Sequence, residues 1–214
     1  MVKNGVLFCV ILLIISCKQG GDNRKKIAEK IGKDKITNIG GGNDNQINFI
    51  TKNSIGPLYL GMQLNDAKKL FSKDSIQFDT ELGYLVLRKN KPLVGFSSKS
   101  GNKLTGITSY SSLYHLENGI KVGTTLKSLK RAFPKMKLQI DAIEGEEEYF
   151  EPEEYQTNDQ NGNPLTVFQI YVGSSKEKRL GKYRNFSPDE KTSNFSLNGD
   201  IYKIEIYCFD QCDK

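Results

Sequence analysis

Several groups of residues in this chain have the types that chemistry needs, and their spacings decide how far each goes. His115 is the only histidine among 214 residues, so a zinc site of clustered histidines is excluded and any histidine-based triad must run through it. Ser111, Ser112 and Glu117 lie near it in sequence, but a triad is a matter of geometry and no G-x-S-x-G turn is present. Ser100 and Lys103 spell S-x-x-K across a predicted hairpin turn, without a K-T-G partner. The cluster Glu144, Glu146, Glu147, Glu148, Glu151, Glu153 and Glu154 is dense in oxygen ligands, a composition that attracts Ca²⁺ or a basic partner, although charge runs are usually solvated. Glu146, Glu147, Glu148 and Glu151 are its candidate contact residues. Asp159-Gln160-Asn161-Gly162-Asn163 has some residues of a calcium loop, but the twelfth position is Ile170 where an EF-hand places glutamate. No catalytic constellation, metal site or cofactor site emerges, and we expect a protein that is not an enzyme.

Two further groups concern binding and cross-linking. The stretch Ser174 to Asn194 is longer than a connector needs and carries Lys176, Lys178, Arg179, Lys182, Arg184 and Lys191 with Tyr183 and Phe186 among them. Arg179, Tyr183, Arg184 and Phe186 are the candidates there for gripping an anionic sugar, a lipid headgroup or an acidic protein; a mobile, solvated insertion is the plainer reading. Near the C-terminus Cys208 and Cys212 form C-F-D-Q-C. The spacing is not C-x-x-C and no histidine is near, so a small structural disulfide loop, worth about 2 kcal/mol in an oxidising compartment, is the expected role.

The most specific signal is at the start. Lys3 supplies a positive n-region and Val6 to Ile15 is an unbroken apolar run of ten residues, a length that suits a signal-peptide core and is about half of what a spanning helix needs. The run ends in Ile14-Ile15-Ser16-Cys17, which resembles the lipobox of bacterial lipoproteins. The resemblance implies cleavage before Cys17, lipidation of that cysteine, and attachment to a membrane that is effectively permanent once several acyl chains are buried at about 0.8 kcal/mol per CH₂. Residues 1–16 are then the signal, leaving Cys208 and Cys212 as the cysteines free to pair. A lipid-anchored protein of the cell envelope is expected, on the outer membrane in preference to the inner.

Elements must carry these groups. Hydrophobic residues make up 37% and charged residues 26%, with 11 Phe, 10 Tyr and no Trp, as for a polar-surfaced globular domain. The formal charge of +6 is modest and no nucleic-acid-reading motif accompanies it, so nucleic acid is not an expected partner. Residues 17–46, rich in Lys, Gly, Asn and Asp, read as the lipidated cysteine and a tether whose lysines face anionic headgroups. From residue 47 the pattern is strand-like. Leu60 to Phe78 aligns without a gap on Val122 to Ile140, 62 positions later: Gly61 with Gly123, Leu64 with Leu126, Lys68 with Lys130, Phe71 with Phe133, Lys73 with Lys135 and Gln77 with Gln139. In each copy a glycine allows a sharp turn and a short amphipathic helix follows, with Leu64, Ala67, Leu70 and Phe71 or Leu126, Leu129, Ala132 and Phe133 on its buried face. Strands are predicted at 75–80, 83–88, 92–98 and 103–109, then at 136–142, 147–155, 165–173 and 201–208, with turn residues between them.

The expected class is α+β, in two similar units, 47–111 and 112–214, each a short helix packed on antiparallel strands, the second carrying the 174–194 insertion. The stretch Ile55-Gly56-Pro57-Leu58-Tyr59-Leu60-Gly61-Met62 and the helix after it are similar to the helix-then-sheet repeats of the family that includes beta-lactamase inhibitory protein and the small lipoprotein of the outer-membrane barrel assembly machinery. Gly123-Thr124 replaces Gly61-Met62 in the second copy. The resemblance implies an exported protein that binds other proteins and performs no chemistry. Our expectation is a membrane-anchored module of scaffold or inhibitor type, binding another envelope protein; the alternative is a module for a small molecule, glycan or metal ion.

Overall fold

A computed structural model describes residues 48–80, 83–99, 102–141, 147–185, 187 and 190–209. The signal segment, Cys17, the tether, Glu146, Phe186 and Cys212 lie outside the described residues.

The chain opens with a small hairpin of β1 (Ser54–Ile55) and β2 (Leu58–Tyr59), then α1 (Leu64–Leu70). Four strands follow: β3 (Ser75–Asp79), β4 (Gly83–Arg88), β5 (Lys91–Ser97) and β6 (Gly106–Ser109). Next come α2 (Leu126–Ala132), β7 (Leu138–Asp141), β8 (Glu147–Phe150), β9 (Thr157–Asn158), β10 (Pro164–Gly173), β11 (Lys191–Thr192) and β12 (Asp200–Cys208). All but the first two strands join one antiparallel sheet, ordered β11-β7-β8-β10-β12-β6-β5-β4-β3, with β9 beside β10. The class is α+β and strand-dominated: among the described residues, two seven-residue α-helices serve a ten-stranded sheet.

Each helix begins where a glycine with positive φ turns the chain off the sheet, Gly61 at 84° and Gly123 at 86°, a conformation that costs glycine nothing sterically. Both turns are tied to a strand in the same way. Gly61 N donates to Leu104 O and Leu104 N to Met62 O, both at 2.8 Å; Gly123 N donates to Ile201 O at 2.8 Å and Ile201 N to Thr124 O at 2.9 Å. Leu64 N then donates to Asn102 O, and Leu126 N to Gly199 O. Thr125 caps α2, its hydroxyl accepting from Ser128 N, whereas Gln63 gives α1 no side-chain cap.

Because strand side chains alternate between faces, the sheet divides its residues cleanly. Val86, Val94, Phe96, Ile107, Phe150, Phe168, Ile170, Ile204 and Ile206 point to the side of the helices and bury Ala67, Phe71, Leu126, Leu129 and Phe133 in one core. Leu85, Tyr110, Tyr149, Val167 and Tyr171 are also buried but lie outside that core.

Boundaries differ from the sequence expectation by three residues or more in two places. The predicted strand at 147–155 stops at Phe150, because Pro152 fixes its own φ and has no N–H for a ladder; a 3-10 turn, Glu153–Tyr155, follows. The predicted strand at 103–109 starts at Gly106, with Lys103 in an isolated bridge to Gln63. The described part of the 174–194 insertion is docked, not a solvated loop. β11 pairs with β7, Lys182 N donates to Asn194 O at 2.9 Å, and Glu177 takes Ser196 Oγ at 2.8 Å and Asn198 Nδ2 at 3.0 Å.

Candidate functional site

The sheet face away from the helices carries an unusual set of side chains. Register puts Tyr149 opposite Tyr171, Tyr171 opposite Lys203, Gln169 opposite Glu205, and Glu205 opposite Thr108. Between Tyr171 and Val172 the β10–β12 register slips by one, making Tyr202 the extra residue of a bulge. A bulge re-aims side chains and strengthens local twist, and here Tyr202 and Lys203 both meet the Tyr171 ring. The Tyr202 ring lies 6.2 Å from it centroid to centroid, and Lys203 Nζ stands 3.7 Å above it. Tyr149 packs on the other side of Tyr171 at 5.5 Å.

Lys203 is held as well as buried. Its Nζ is 2.8 Å from Glu147 Oε2 and 4.0 Å from Glu205 Oε2, so the desolvation of the ammonium is offset by carboxylates and by the electron-rich ring face. Glu205 also accepts from Thr108 Oγ1 at 3.3 Å. Tyr171 Oη donates to Gln169 Oε1 at 2.7 Å, and Gln169 Nε2 donates to Glu151 Oε1 at 3.0 Å. Tyr207 and the exposed Phe209 extend the patch in an edge-to-face pair at 5.6 Å. Burial, then the nearby carboxylates, Glu205 ahead of Glu147, push the Tyr171 phenol far above its ordinary range; burial and then Glu147 do the same to Tyr202.

This packing sets an alkaline limit. A phenol whose folded pKa lies above its unfolded value, about 10, contributes stability that is complete below pH 10 and is lost as pH rises through the folded value. An ultraviolet phenolate titration is therefore expected to leave Tyr171 and Tyr202 silent until the fold itself is lost, above pH 10. Their ionisation near pH 10 with the circular dichroism unchanged would refute the packing described.

The residues singled out in the sequence are divided among three places. Glu147 joins the outer face through Lys203, and Glu151 lies at its margin, bonded to Gln169 and 3.9 Å from Lys191. Glu148 points to the opposite face and is buried. Its carboxylate accepts from Leu180 N and Gly181 N, both at 2.6 Å, and from Tyr183 Oη at 3.0 Å. It is a clamp on the insertion, not a solvated acid open to a partner, and Tyr183 is its counterpart: burial and then Glu148 raise its phenol pKa strongly. Arg184 is exposed, its backbone N held by Glu190 Oε1 at 2.6 Å, and Arg179 is half-buried. Asp159, in the loop considered for calcium, spends its carboxylate on its own turn. It accepts from Asn161 N and Asn163 N at 2.8 Å and from Asn163 Nδ2 at 3.0 Å, bonds that hold its pKa below the usual range, the Asn163 side chain first. Among the described residues no group of three His, Cys, Asp or Glu is placed to hold a metal ion. His115 turns Nδ1 to Leu116 O at 3.0 Å and packs its ring on Phe49 at 4.8 Å, while Ser111 Oγ accepts from Leu113 N.

Tyr171, Tyr202, Lys203 and Glu205 were not singled out from sequence. The signal that could have found them is the alternation after Tyr202, where Ile204, Ile206 and Cys208 interleave with Lys203, Glu205 and Tyr207.

Comparison with known proteins adds little to this geometry. No protein-family profile and no curated protein sequence matches the chain. Among solved structures it is similar to the uncharacterized protein yfeY from Escherichia coli, at 14% identity and a TM-score of 0.43, over 75% of this chain and 99% of that one.

Proposed function

We propose that this protein is an envelope lipoprotein, held on the outer membrane by lipid on Cys17, which binds another envelope protein through the outer face of its sheet and performs no chemistry of its own. The observation that carries the reading is the outer face of the sheet, where half-buried Tyr202, Glu205 and Tyr207 and exposed Phe209 are backed by the buried Tyr149, Tyr171 and Lys203. Tyrosines present large, stiff, amphipathic surface at low entropic cost, and a charge fixed between carboxylates is already ordered before a partner arrives. Among the described residues no helix is long and apolar enough to cross a membrane. In the oxidising envelope Cys208, buried at the end of β12, closes a disulfide with Cys212.

The finer architecture belongs to the same proposal: two similar units joined edge to edge. In support, the bonds that launch α1 recur at α2, displaced by 62 residues on the helix side and by 97 on the strand side. The sheet order is a palindrome of equivalents, with β7-β8-β10-β12 meeting β6-β5-β4-β3. Thr108 and Glu205, themselves 97 apart, face each other at the seam. Equivalent strands thus pair about an approximate twofold axis, as two chains would in an isologous dimer.

The test is chemical crosslinking in intact cells with the native chain, Cys17→Ala, and the face variant Tyr202→Ala/Tyr207→Ala. The native chain is expected to capture one discrete envelope protein. The face variant should lose that capture by roughly thirtyfold, the equivalent of about 2 kcal/mol at an interface hot spot, while Phe78→Ala, at an exposed ring elsewhere, retains it. Equal capture by the face variant would sink the assignment of the site.

A further inference from the structure

A second surface, on the helix side, is defined by charge. From Leu126 to Ile140 the chain contains Lys127, Lys130, Arg131, Lys135 and Lys137 and neither Asp nor Glu. Leu126, Leu129 and Phe133 turn into the core, which leaves Lys127, Lys130 and Arg131, at helical spacings of three and four, on the outward side of α2. Lys127, Arg131, Lys135 and Lys137 are exposed, and none has an ion pair among the described residues. The first helix differs: Lys69 is paired with Asp66 at 3.0 Å and Lys68 stands 4.0 Å above the Tyr84 ring.

The docked insertion enlarges this basic area. Lys130 Nζ donates to Met136 O at 3.1 Å and lies 5.2 Å above the Phe195 ring. Phe195 is bridged to Gly181, and Lys182 follows at once. Lys182 is exposed, so the insertion adds a cation beside α2. Leu197 is 44% exposed and sits two residues before Gly199, whose carbonyl takes the first N–H of α2. Unpaired cations bordered by an exposed large apolar side chain are what a headgroup layer accepts: the charges meet phosphate and the hydrocarbon enters the interface.

We propose that the outward side of α2, with Lys127, Arg131, Lys135 and the adjoining Lys182, docks on an anionic phospholipid surface. The inference rests on the lipid-anchor reading for its setting, because an anchor at Cys17 keeps the domain within reach of headgroups and raises the local concentration of a contact too weak to hold alone. It goes beyond that reading by orienting the molecule. The helix side faces the bilayer, and the tyrosine face is turned outward to the protein partner.

The test uses the chain from Ile47 to Lys214, which lacks the anchor and the lysine-rich tether yet keeps every described residue and the whole core. It is mixed with vesicles of phosphatidylcholine alone, or of three parts phosphatidylcholine to one part phosphatidylserine. Binding is expected only to the charged vesicles, weakening at least about tenfold between low and physiological ionic strength. Lys127→Gln/Arg131→Gln/Lys135→Gln should weaken it at least about tenfold at fixed salt. Lys52→Gln/Lys89→Gln/Lys91→Gln removes the same net charge elsewhere on the molecule and should weaken it less than about twofold. No binding to the charged vesicles at low salt, equal binding to neutral ones, or equal weakening by the two triple variants would each overturn the proposal. Unmodified binding by the native fragment at both salt concentrations would do so without any variant. Fatty-acid labelling of the full-length chain and its Cys17→Ala variant reads the anchor separately, so failure there leaves the docking result standing.

Discussion

Glu148→Ala is expected to destabilise the fold by about 3 kcal/mol and to release the segment from Leu180 to Tyr183. The carboxylate is 4% exposed and serves three donors. Hydrogen bonds to a charged group contribute roughly 1.5–3 kcal/mol each, and removing the acceptor strands the buried Leu180 N–H as well as the phenol of Tyr183. Water re-solvates the Gly181 side of the gap and returns part of the loss, which keeps the net below the sum of three bonds. Urea unfolding should show a lower midpoint with an unchanged slope. Hydrogen exchange should accelerate at residues 180–183 while β10 and β12 stay protected. Glu151→Ala, at a carboxylate 24% exposed, is the matched comparison and should cost under about 1 kcal/mol. A Glu148→Ala protein within about 1 kcal/mol of the native chain, the most a solvent-screened acid costs, would show that the clamp is not what holds the insertion.

Phe168→Ala should cost about 4 kcal/mol and lower the melting temperature by roughly 10 °C. Phe168 is fully buried at the centre of β10, with the Tyr155 ring 4.9 Å away. Its surroundings cannot collapse into the space it leaves, because its own backbone is pinned on both sides of the peptide. Gln156 Oε1 accepts from Phe168 N at 3.1 Å and Gln156 Nε2 donates to Phe168 O at 2.9 Å, so a side chain stands where a neighbouring strand would pair. A rigid site keeps its cavity, and the cavity adds to the lost transfer energy. Phe78→Ala is the counterpart. Its ring is 65% exposed on edge strand β3, and the change should stay within about 0.5 kcal/mol. Comparable losses at the two positions would contradict the core described.

The helix starts and most strands were legible because they depend on local chemistry. Gly61 and Gly123, the apolar spacing of Leu126, Leu129 and Phe133, and the turn residues between strands all act within a few residues of themselves. The class α+β follows from them. Three things were not legible, each for the same reason, that a partner far along the chain decides the outcome. Glu148 sits in a run of acids that reads as solvated until its three donors arrive from more than thirty residues away. The insertion reads as free until β11 finds β7. The tyrosine face depends on a bulge at Tyr202, where a plain alternation would have sent Tyr202 and Lys203 to opposite sides. Glu147 reads in the sequence as part of an acidic strip; in the structure it is the partly buried carboxylate paired with Lys203.

The position of β12 bears on how the molecule is made. It is the last described strand in sequence, yet it lies at the middle of the sheet, between β10 and β6. Everything before residue 200 can form only two separate half-sheets, each with a raw inner edge, and they are joined only once β12 has been made and has paired with both β10 and β6. Completion of the sheet therefore waits on residues 200–208. A prematurely ended chain does not lose a dispensable border; it falls into two unzipped halves with exposed ladder groups of the kind that proteases and aggregation both find first.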